Sequence, residues 1–334
     1  MGCRYLGKTR QKNRGDLMEK ILITGAGGYI GSNAVEYFMR RGYDVTGMIR
    51  NRTAERFSRS GAKAVKADLY DPASLTGLFK EHYDYVIHIA ALASDTGKES
   101  HFRLANFEAV KHLAGLCMSH HVKRFVYLST ADVYGLHDFH GEREEELAFD
   151  LTVKNPYPRY KIQSELFLQA NLPAERFSCV RPCVVFGNGD TTITPRAVAF
   201  LKSSPFVIHF GKWRGKNRWP LAHVENVCRT LHGAMLVPEA GGKGATVLDT
   251  KYTTLSDYYR ELAAEYLPEK KIRELCLPRW TILPAAWVSS TFSGEKPLFD
   301  PTLYALDTIT SDLNFSNDRM KQWIAAAGEK EFVQ

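Results

Sequence analysis

The chain has 334 residues, of which 44% are hydrophobic and 24% are charged, and its formal net charge is +7. This composition is that of an ordinary globular protein, which excludes intrinsic disorder and fibrous repeats. The length suffices for a large buried core. No apolar run reaches about eighteen residues, so we expect no helix that crosses a membrane.

Residues 1–17 hold much of the positive charge. Five basic residues and one acidic residue give this segment a net charge of +4, which leaves only +3 for the rest of the chain. The segment lacks apolar periodicity and is predicted to be a flexible leader before residue 18. The rest of the chain is not basic enough to indicate a nucleic-acid partner.

The six cysteines have no Cys-x-x-Cys spacing and no flanking histidines. A zinc site or a disulfide framework would need such a spacing, so we expect no metal and no disulfide. Free cysteines are typical of a reducing compartment, which favours the cytoplasm.

Short apolar runs alternate with helical patterns over the first 190 residues. The predicted strands are 21–24, 44–49, 64–67, 85–89, 124–128 and 178–185, and helices are predicted at 32–41 and 72–80. Near-continuous apolar strands that alternate with helices are typical of βαβ units around a buried parallel sheet. The sequence therefore predicts an α/β fold with a Rossmann-type, doubly wound parallel sheet.

The alternation ends after residue 187. A helix at 224–235 and a strand at 245–249 resume it, whereas residues 188–221 and 250–334 mix short helices with loops and aromatic residues. We predict a Rossmann dinucleotide-binding domain from 18–187 plus 222–249. A smaller, mixed C-terminal domain from 188–221 plus 250–334 would bind the substrate.

The first strand leads into a glycine-rich loop. Gly25, Gly28 and Gly31 have the spacing Gly-x-x-Gly-x-x-Gly, with Tyr29 and Ile30 before the last glycine. In such loops the three glycines permit a tight turn, close approach of the pyrophosphate and packing of helix on strand. The helix N-terminus offers free N–H groups to the anion. With a strand before it and a helix after it, the loop predicts a dinucleotide site.

The end of the second strand distinguishes the two nicotinamide cofactors. An acidic residue there would bind the ribose 2′-hydroxyl and repel a 2′-phosphate. The chain instead has Arg50 and Arg52, whose guanidinium groups could make charge-assisted hydrogen bonds to the phosphate. We expect NADP as the cofactor, with NAD as the alternative if both arginines only face solvent.

Two motifs contain candidate catalytic residues. Ser129 and Thr130 follow a strand, and Asn155 begins a helix that places Tyr157 and Lys161 one turn apart on one face. A phenol has a pKa near 10, and an adjacent ammonium group favours the phenolate. The Tyr-Lys pair is common in isolation but becomes specific behind a glycine loop and a strand-end Ser-Thr.

With these motifs the sequence resembles the extended short-chain dehydrogenase/reductase family, within the epimerase/dehydratase superfamily, from about residue 20 to residue 249. The resemblance implies that Thr130, with Ser129 as its backup, hydrogen-bonds the reacting oxygen. It implies that Tyr157 transfers the proton and that Lys161 activates Tyr157 and binds the ribose. The other cofactor-binding positions that it implies are Asp68, Leu69, Ala90, Ala91, Asn106, Pro182 and Val185. It also implies a homodimer formed through helices at 106–118 and 157–169.

Residues 219–226 bear on the branch of the family. The segment from His223 to Val227 resembles the 3β-hydroxysteroid dehydrogenase-type branch, whereas nucleotide-sugar epimerases usually have Asp at the position of Asn226 and an arginine at that of Trp219. We expect an oxidoreductase that interconverts the ketone and the secondary alcohol of an apolar small molecule. The alternatives are a nucleotide-sugar epimerase or dehydratase with tightly bound NAD(P), and a catalytically silent NADP-binding sensor.

Two features of the smaller domain can each be interpreted in two ways, so they do not identify the substrate. Lys212, Arg214, Lys216 and Arg218 form a basic loop that either contacts a phosphorylated or acyl-CoA-like substrate or is simply solvated. The aromatic segment 278–299 forms either an apolar wall of the substrate site or an ordinary domain core.

Overall fold

The structure, a computed structural model, describes residues 18–50, 57, 60–249, 253–292 and 301–333. The predicted leader, residues 1–17, and Arg52 lie outside the described residues. Over the part of the chain that is described, no helix is long and apolar enough to cross a membrane.

Eleven strands are found in the described ranges. They are β1 (Lys20–Thr24), β2 (Asp44–Ile49), β3 (Lys63–Lys66), β4 (Tyr85–His88), β5 (Arg124–Leu128), β6 (Phe177–Pro182), β7 (Val184–Phe186), β8 (Val207–Phe210), β9 (Leu221–His223), β10 (Gly244–Val247) and β11 (Glu274–Leu277). Seven of them form one parallel sheet in the order β10-β6-β5-β4-β1-β2-β3. Every residue of β4 and β5 is buried, because helices cover both faces of the sheet. The predicted doubly wound α/β fold is confirmed.

The helices follow the strands in alternation. They are α1 (Tyr29–Arg40), α2 (Pro72–Leu78), α3 (Glu99–Arg103), α4 (Ala109–Ser119), α5 (Pro156–Asn171), α6 (Ile193–Ser203), α7 (Val224–Leu236), α8 (Leu255–Tyr266), α9 (Leu283–Phe292), α10 (Leu303–Thr310) and α11 (Asp318–Ala326). A π-helical turn, Leu104–Glu108, joins α3 to α4. Helices α1, α7 and α11 pack on one face of the sheet, and α2, α4 and α5 pack on the other.

The predicted strand 178–185 is two strands. β6 pairs with β10, whose last residue, Val247, lies opposite Pro182. Beyond Pro182 the sheet offers no further partner on that side, so the chain leaves it and β7 pairs with β9 instead. Cys183 lies at the break between the two strands.

The last helix does not belong with the smaller unit to which the sequence analysis assigned it. Met320, Trp323 and Ile324 of α11 are buried in the core of the central sheet. Gly233 of α7 makes this contact possible, because a Cβ atom there would lie 2.6 Å from the Trp323 carbonyl oxygen. A separate buried cluster, with Leu201 of α6 and Tyr258 of α8 among its members, lies between β8 and helices α6 and α8.

Candidate active site

A cavity of about 930 Å³ lies where the central strands end. Carboxyl ends of parallel strands meet at one edge of such a sheet, which is where this fold class binds ligands. Most residues selected from the sequence line it: Gly25, Gly28, Tyr29, Ile30, Gly31, Arg50, Asp68, Leu69, Ala90, Ala91, Ser129, Thr130, Tyr157, Lys161 and Val185. Residues far apart in the chain therefore share one site.

The glycine loop has the geometry of a pyrophosphate cradle. Gly25 has φ +70°, and a Cβ atom there would lie 2.8 Å from the Ala90 nitrogen. A Cβ atom at Gly31 would lie 2.0 Å from the Gly25 carbonyl oxygen. Gly28 is the N-cap of α1 and makes no side-chain cap hydrogen bond. A helix N-terminus without a capping side chain favours an anion, so the loop fits the pyrophosphate of a dinucleotide.

Thr24, which the sequence analysis did not select, fixes the loop opposite the glycines. Its Oγ1 accepts hydrogen bonds from the backbone N–H groups of Ile89 and Ala90, both at 3.1 Å. The same oxygen lies 2.7 Å from His88 Nδ1, and burial lowers the pKa of His88 to about 3. The neutral imidazole can therefore accept the threonine proton, and the contact joins β1 to the end of β4.

Asn106 and Pro182 are not among the residues that line the cavity. Asn106 lies inside the π-helical turn rather than at a helix start. Its side chain is buried and clamps the backbone of Leu92, accepting from the N–H at 2.8 Å and donating to the carbonyl at 2.9 Å. Leu92 does line the cavity. Asn106 thus shapes the site indirectly, because its amide is already used by the backbone.

The candidate catalytic residues are held by helix α5 and strand β5. The Asn155 side chain accepts from the Tyr157 N–H at 2.9 Å, which confirms the expected helix cap. The Tyr157 and Thr130 side chains line the same cavity, and the hydrogen-bonding effect of the Thr130 side chain lowers the pKa of the Tyr157 phenol. Lys161 Nζ donates to the Leu128 carbonyl at 2.7 Å and lies 5.9 Å from the centre of the Tyr157 ring.

The electrostatics of this group differ from the expected activation. Burial raises the pKa of the Tyr157 phenol above its usual value, and the nearby Asp132 carboxylate adds to this, while the Thr130 hydrogen bond opposes it. Burial also lowers the pKa of Lys161 to about 7, partly opposed by Glu165. Because burial outweighs the neighbouring charge, Tyr157 is a neutral phenol at neutral pH and can donate a proton.

Glu165 and Arg181 form a buried ion pair behind Lys161. Three nitrogen–oxygen contacts of 2.6, 3.0 and 3.2 Å join the guanidinium group to the carboxylate. Ser129 is buried, and its hydroxyl has no hydrogen-bond partner among the described residues. The proposed backup hydroxyl is therefore not engaged by the ion pair in the structure.

Asp132, Tyr304 and Cys183 also line the cavity, and sequence reasoning missed their place there. The Tyr304 hydroxyl donates to the Asp132 carboxylate, and burial raises the pKa of Asp132. Asp132 lies two residues after Thr130, a proximity that could have drawn attention to it. Tyr304 comes from α10, and no local pattern indicates that it returns to this site. Cys183 lies at the break between β6 and β7, where it is exposed to the cavity.

The far wall of the cavity is apolar. Its lining side chains there include Val184, Ile193, Ala197, Phe200, Ile208, Trp219, Ile282 and Ile309. None of the four residues of the basic loop, Lys212, Arg214, Lys216 and Arg218, lines the cavity. The idea that this loop contacts a phosphorylated substrate inside the cavity is therefore wrong for this arrangement.

Comparison with known proteins agrees with this geometry. Residues 21–248, which contain the glycine loop and the Tyr157–Lys161 pair, match the family model described as the NAD dependent epimerase/dehydratase family. The chain belongs to this family. The chain is similar to uncharacterized protein YbjS of Escherichia coli strain K12, 31% identical over 322 residues and 91% of each chain. Relatives named as reductases and as epimerases also match, and the chain is an NAD(P)-dependent enzyme of the extended short-chain dehydrogenase/reductase type.

Two further likenesses are one of sequence and one of fold. A 4-hydroxy-2-methyl-3-oxo-4-farnesyl-3,4-dihydroquinoline-1-oxide ketoreductase of Stigmatella aurantiaca is 28% identical over 67% of this chain and 66% of its own. A solved short-chain dehydrogenase/reductase superfamily protein of Agrobacterium tumefaciens with bound NAD has a TM-score of 0.69. It is 18% identical, with 94% of this chain and 93% of that chain covered, and shows the likeness of fold alone.

Proposed function

We propose that the chain is an NADPH-dependent reductase of the ketone group of an apolar small molecule. The observation that carries this proposal is that Tyr157 and Thr130 line one cavity together with the glycine cradle and the apolar wall. A polar pair placed at the junction of a cofactor cradle and an apolar wall suits a substrate with one reacting oxygen.

The residues divide the chemistry between them. NADPH supplies the hydride when bound. Tyr157 is protonated, because burial raises its pKa, and it donates this proton to the substrate oxygen. The Thr130 hydroxyl donates a second hydrogen bond to the same oxygen, which stabilises the developing negative charge. A phenol held in its protonated form favours the reduction direction over the oxidation.

The preference for NADPH is part of the proposal. Arg50 follows β2 directly, is exposed and lines the cofactor part of the cavity. Asp68, the nearest acidic residue of that wall, already accepts a hydrogen bond from the Tyr70 N–H at 3.1 Å. A guanidinium group at this strand end supports recognition of a 2′-phosphate.

The names of relatives support reduction of a ketone. Besides the Stigmatella ketoreductase, a 2-alkyl-3-oxoalkanoate reductase of Stenotrophomonas maltophilia is 28% identical over 53% of this chain and 54% of its own. Both names describe keto substrates with long apolar groups or alkyl chains. We further propose that residues around α6 and α8 bind the substrate, that the enzyme works in the cytoplasm and that it is a homodimer.

The deciding experiment measures net cofactor turnover. Purified protein is supplied with NADPH and a 2-alkyl-3-oxoalkanoate or a farnesylated quinolone ketone, and NADPH consumption is followed with formation of the alcohol. Tyr157→Phe should reduce the rate by about 10²- to 10⁴-fold while NADPH still binds. Interconversion of a UDP- or dTDP-sugar without net NADPH oxidation would instead establish an epimerase. Equal rates for Tyr157→Phe would refute the proton-transfer role.

A further inference from the structure

The wall of the cavity formed by the smaller unit has an exposed apolar outer side. We define the apolar surface as the side chains of Leu275, Leu277, Trp280, Trp287 and Phe292. Trp280 is 71% exposed and Phe292 is 66% exposed. The rings of Trp287 and Phe292 contact each other, with centroids 6.0 Å apart. No charged residue occurs from residue 280 to residue 292, so helix α9 has no charged rim of its own.

The same segments line the cavity on their inner side. Ile282, between Trp280 and the start of α9, is part of the cavity lining. Helix α9 is attached to α10, where the Leu303 N–H donates to the Ser290 hydroxyl at 2.7 Å. Helix α10 then presents Tyr304 and Ile309 to the cavity. Only this thin layer separates the apolar surface from the space assigned to the substrate.

A basic rim borders the apolar surface. We define the basic rim as Arg214, Lys216, Lys271 and Arg273, all of which are exposed. The loop with Arg214 is joined to β11 by the Gly211 N–H, which donates to the Leu277 carbonyl at 2.9 Å, and by Cys276 Sγ, 4.0 Å from the Arg214 carbonyl. Arg273 directly precedes β11.

The described acidic residues near the basic rim are few, and most of them already pair with other side chains. Glu274 is hydrogen-bonded to His209, Ser256 and Arg260. Asp307 is paired with Arg279, and Glu269 is exposed close to Lys271. Counted over the described residues, the border of the apolar surface therefore has a net positive charge.

We propose that this face docks on an anionic lipid bilayer, from which the apolar substrate enters the cavity. Exposed tryptophan and phenylalanine side chains insert at the level of the headgroups, and flanking basic side chains bind anionic lipids. A second copy of the chain fits less well, because two such faces would bring their basic rims together. Docking goes beyond the reductase function and does not require it, whereas substrate entry from the bilayer rests on that function.

Vesicle sedimentation tests the docking without substrate or cofactor. The full chain is mixed with vesicles of phosphatidylcholine and phosphatidylglycerol, or of phosphatidylcholine alone, at low and high salt. We expect sedimentation with the anionic vesicles that weakens at high salt. The triple variant Trp280→Ser/Trp287→Ser/Phe292→Ser should bind at least about tenfold more weakly. Arg214→Glu/Arg273→Glu should remove the preference for anionic vesicles.

A matched control variant is Leu151→Ser/Val333→Ser, which removes two exposed apolar side chains outside the apolar surface. It should bind vesicles like the wild type. Reduction of a small water-soluble ketone by NADPH should be unchanged in all variants, which separates docking from the proposed function. Failure of the wild type to sediment, or equal sedimentation of the triple variant, would refute docking. Conversion of a dimer to a monomer by the triple variant would show instead that this face joins two copies.

Discussion

Lys161 shows how burial sets the working state of a single residue. Its side chain is 2% exposed, and burial lowers the pKa of its ammonium group to about 7. Below that pH it donates hydrogen bonds as a cation, and above it the group becomes a neutral amine. The cofactor brings negative phosphates and ribose hydroxyls to this end of the sheet, so only the protonated form should favour its capture.

We therefore predict that kcat/KM for NADPH falls as the pH rises above about 7, because this constant reports the free enzyme. Lys161→Met should remove this fall of kcat/KM with pH and should give a lower kcat/KM that does not depend on pH. The stability of the apoenzyme should change in the opposite direction: the unfolded chain binds the extra proton between the folded pKa and about 10.4, so stability rises with pH over that interval. A kcat/KM profile that is flat across neutral pH in the wild type would contradict this assignment.

Arg50 is the residue on which the proposed preference for NADPH rests. Charge-assisted hydrogen bonds are worth about 1.5–3 kcal/mol, or roughly ten- to a hundredfold in affinity. Arg50→Ala should weaken NADPH by this factor, change NADH little and leave the Tyr157 chemistry intact. Lys66→Ala, which removes an exposed cation from the adjacent strand β3, is the matched control. Fluorescence titration with both cofactors checks the result, and wild-type protein that binds NADH as tightly as NADPH would disprove it.

Single residues were predictable where a local pattern marked them. The Tyr157–Lys161 spacing and the strand-end Thr130 identify chemistry within a few positions of the chain, and the structure brings them together. The Tyr304–Asp132 contact joins residues 172 positions apart, so no local pattern could indicate it. The sequence predicts that the ammonium group of Lys161 favours the Tyr157 phenolate, whereas the structure raises the pKa of Tyr157. The burial that causes this rise is a property of the folded molecule and cannot be seen in a local pattern.

At the scale of elements, the strand–loop–helix unit at the start of the chain has little tolerance for added atoms. A Cβ atom at Gly31 would lie 2.0 Å from the Gly25 carbonyl oxygen, on backbone that also forms the cradle. Gly115, in helix α4, has nothing within 4 Å of such an atom. The two positions therefore form a natural pair for testing how the cradle is built.

We predict opposite effects of the same substitution at these two positions. Gly31→Ala should displace α1 from β1 and destabilise the protein by about 1–3 kcal/mol, with loss of measurable cofactor binding. Gly115→Ala should stabilise it by about 0.4–1 kcal/mol, because it removes backbone entropy from the unfolded chain, and should leave cofactor affinity unchanged. Urea unfolding and cofactor titration of both variants provide the measurement. Equal stabilities would show that the loop can relax.

Element boundaries were predictable where they depend on local apolar runs. Strands 44–49 and 124–128 agree with β2 and β5. The continuous apolar run 178–185 predicts one strand, whereas its division into two strands depends on where the neighbouring strand β10 ends. A local sequence pattern does not show which strands pair with each other. The division of this run into two strands also explains why Cys183 lies at the cavity.

At the scale of the whole molecule, the alternating pattern was enough to predict the sheet but not the path of the chain's end. Helix α11 returns to the central sheet. The Glu329 carboxylate, just after this helix, accepts hydrogen bonds from the side chains of Tyr37 and Arg41, which lie near the start of the chain. Burial alone would raise the pKa of Glu329, but the hydrogen bonds from His232, Tyr37 and Arg41 and the charge of Arg41 outweigh it and lower the pKa to about 2, with His232 contributing most to the lowering. The contacts connect residues almost 300 positions apart, which amphipathic periodicity cannot reveal.

The homodimer remains a prediction, and the π-helical turn with helix α4 on one side and helix α5 on the other carry the surface on which it rests. Phe107 and Phe167 meet edge to face at 6.3 Å, with Lys111 above both rings. Beside them Leu104 is 38% exposed and Leu166 is 42% exposed. An exposed apolar stripe across two adjacent helices matches the interface expected from the resemblance, since burying it twice in a symmetric dimer removes this area from water.

Leu104→Lys/Leu166→Lys should convert the dimer to a monomer at micromolar concentration, because each lysine would place a charge in the interface. The expected weakening is at least about a hundredfold in the dissociation constant, if each leucine contributes about 1.5 kcal/mol. Leu236→Lys, a comparably exposed position at the end of α7, should leave the assembly unchanged. Sedimentation velocity distinguishes the species. A wild type that is monomeric at these concentrations, or a double variant that remains dimeric, would exclude this interface. Because neither leucine lines the cavity, cofactor binding should persist in the monomer.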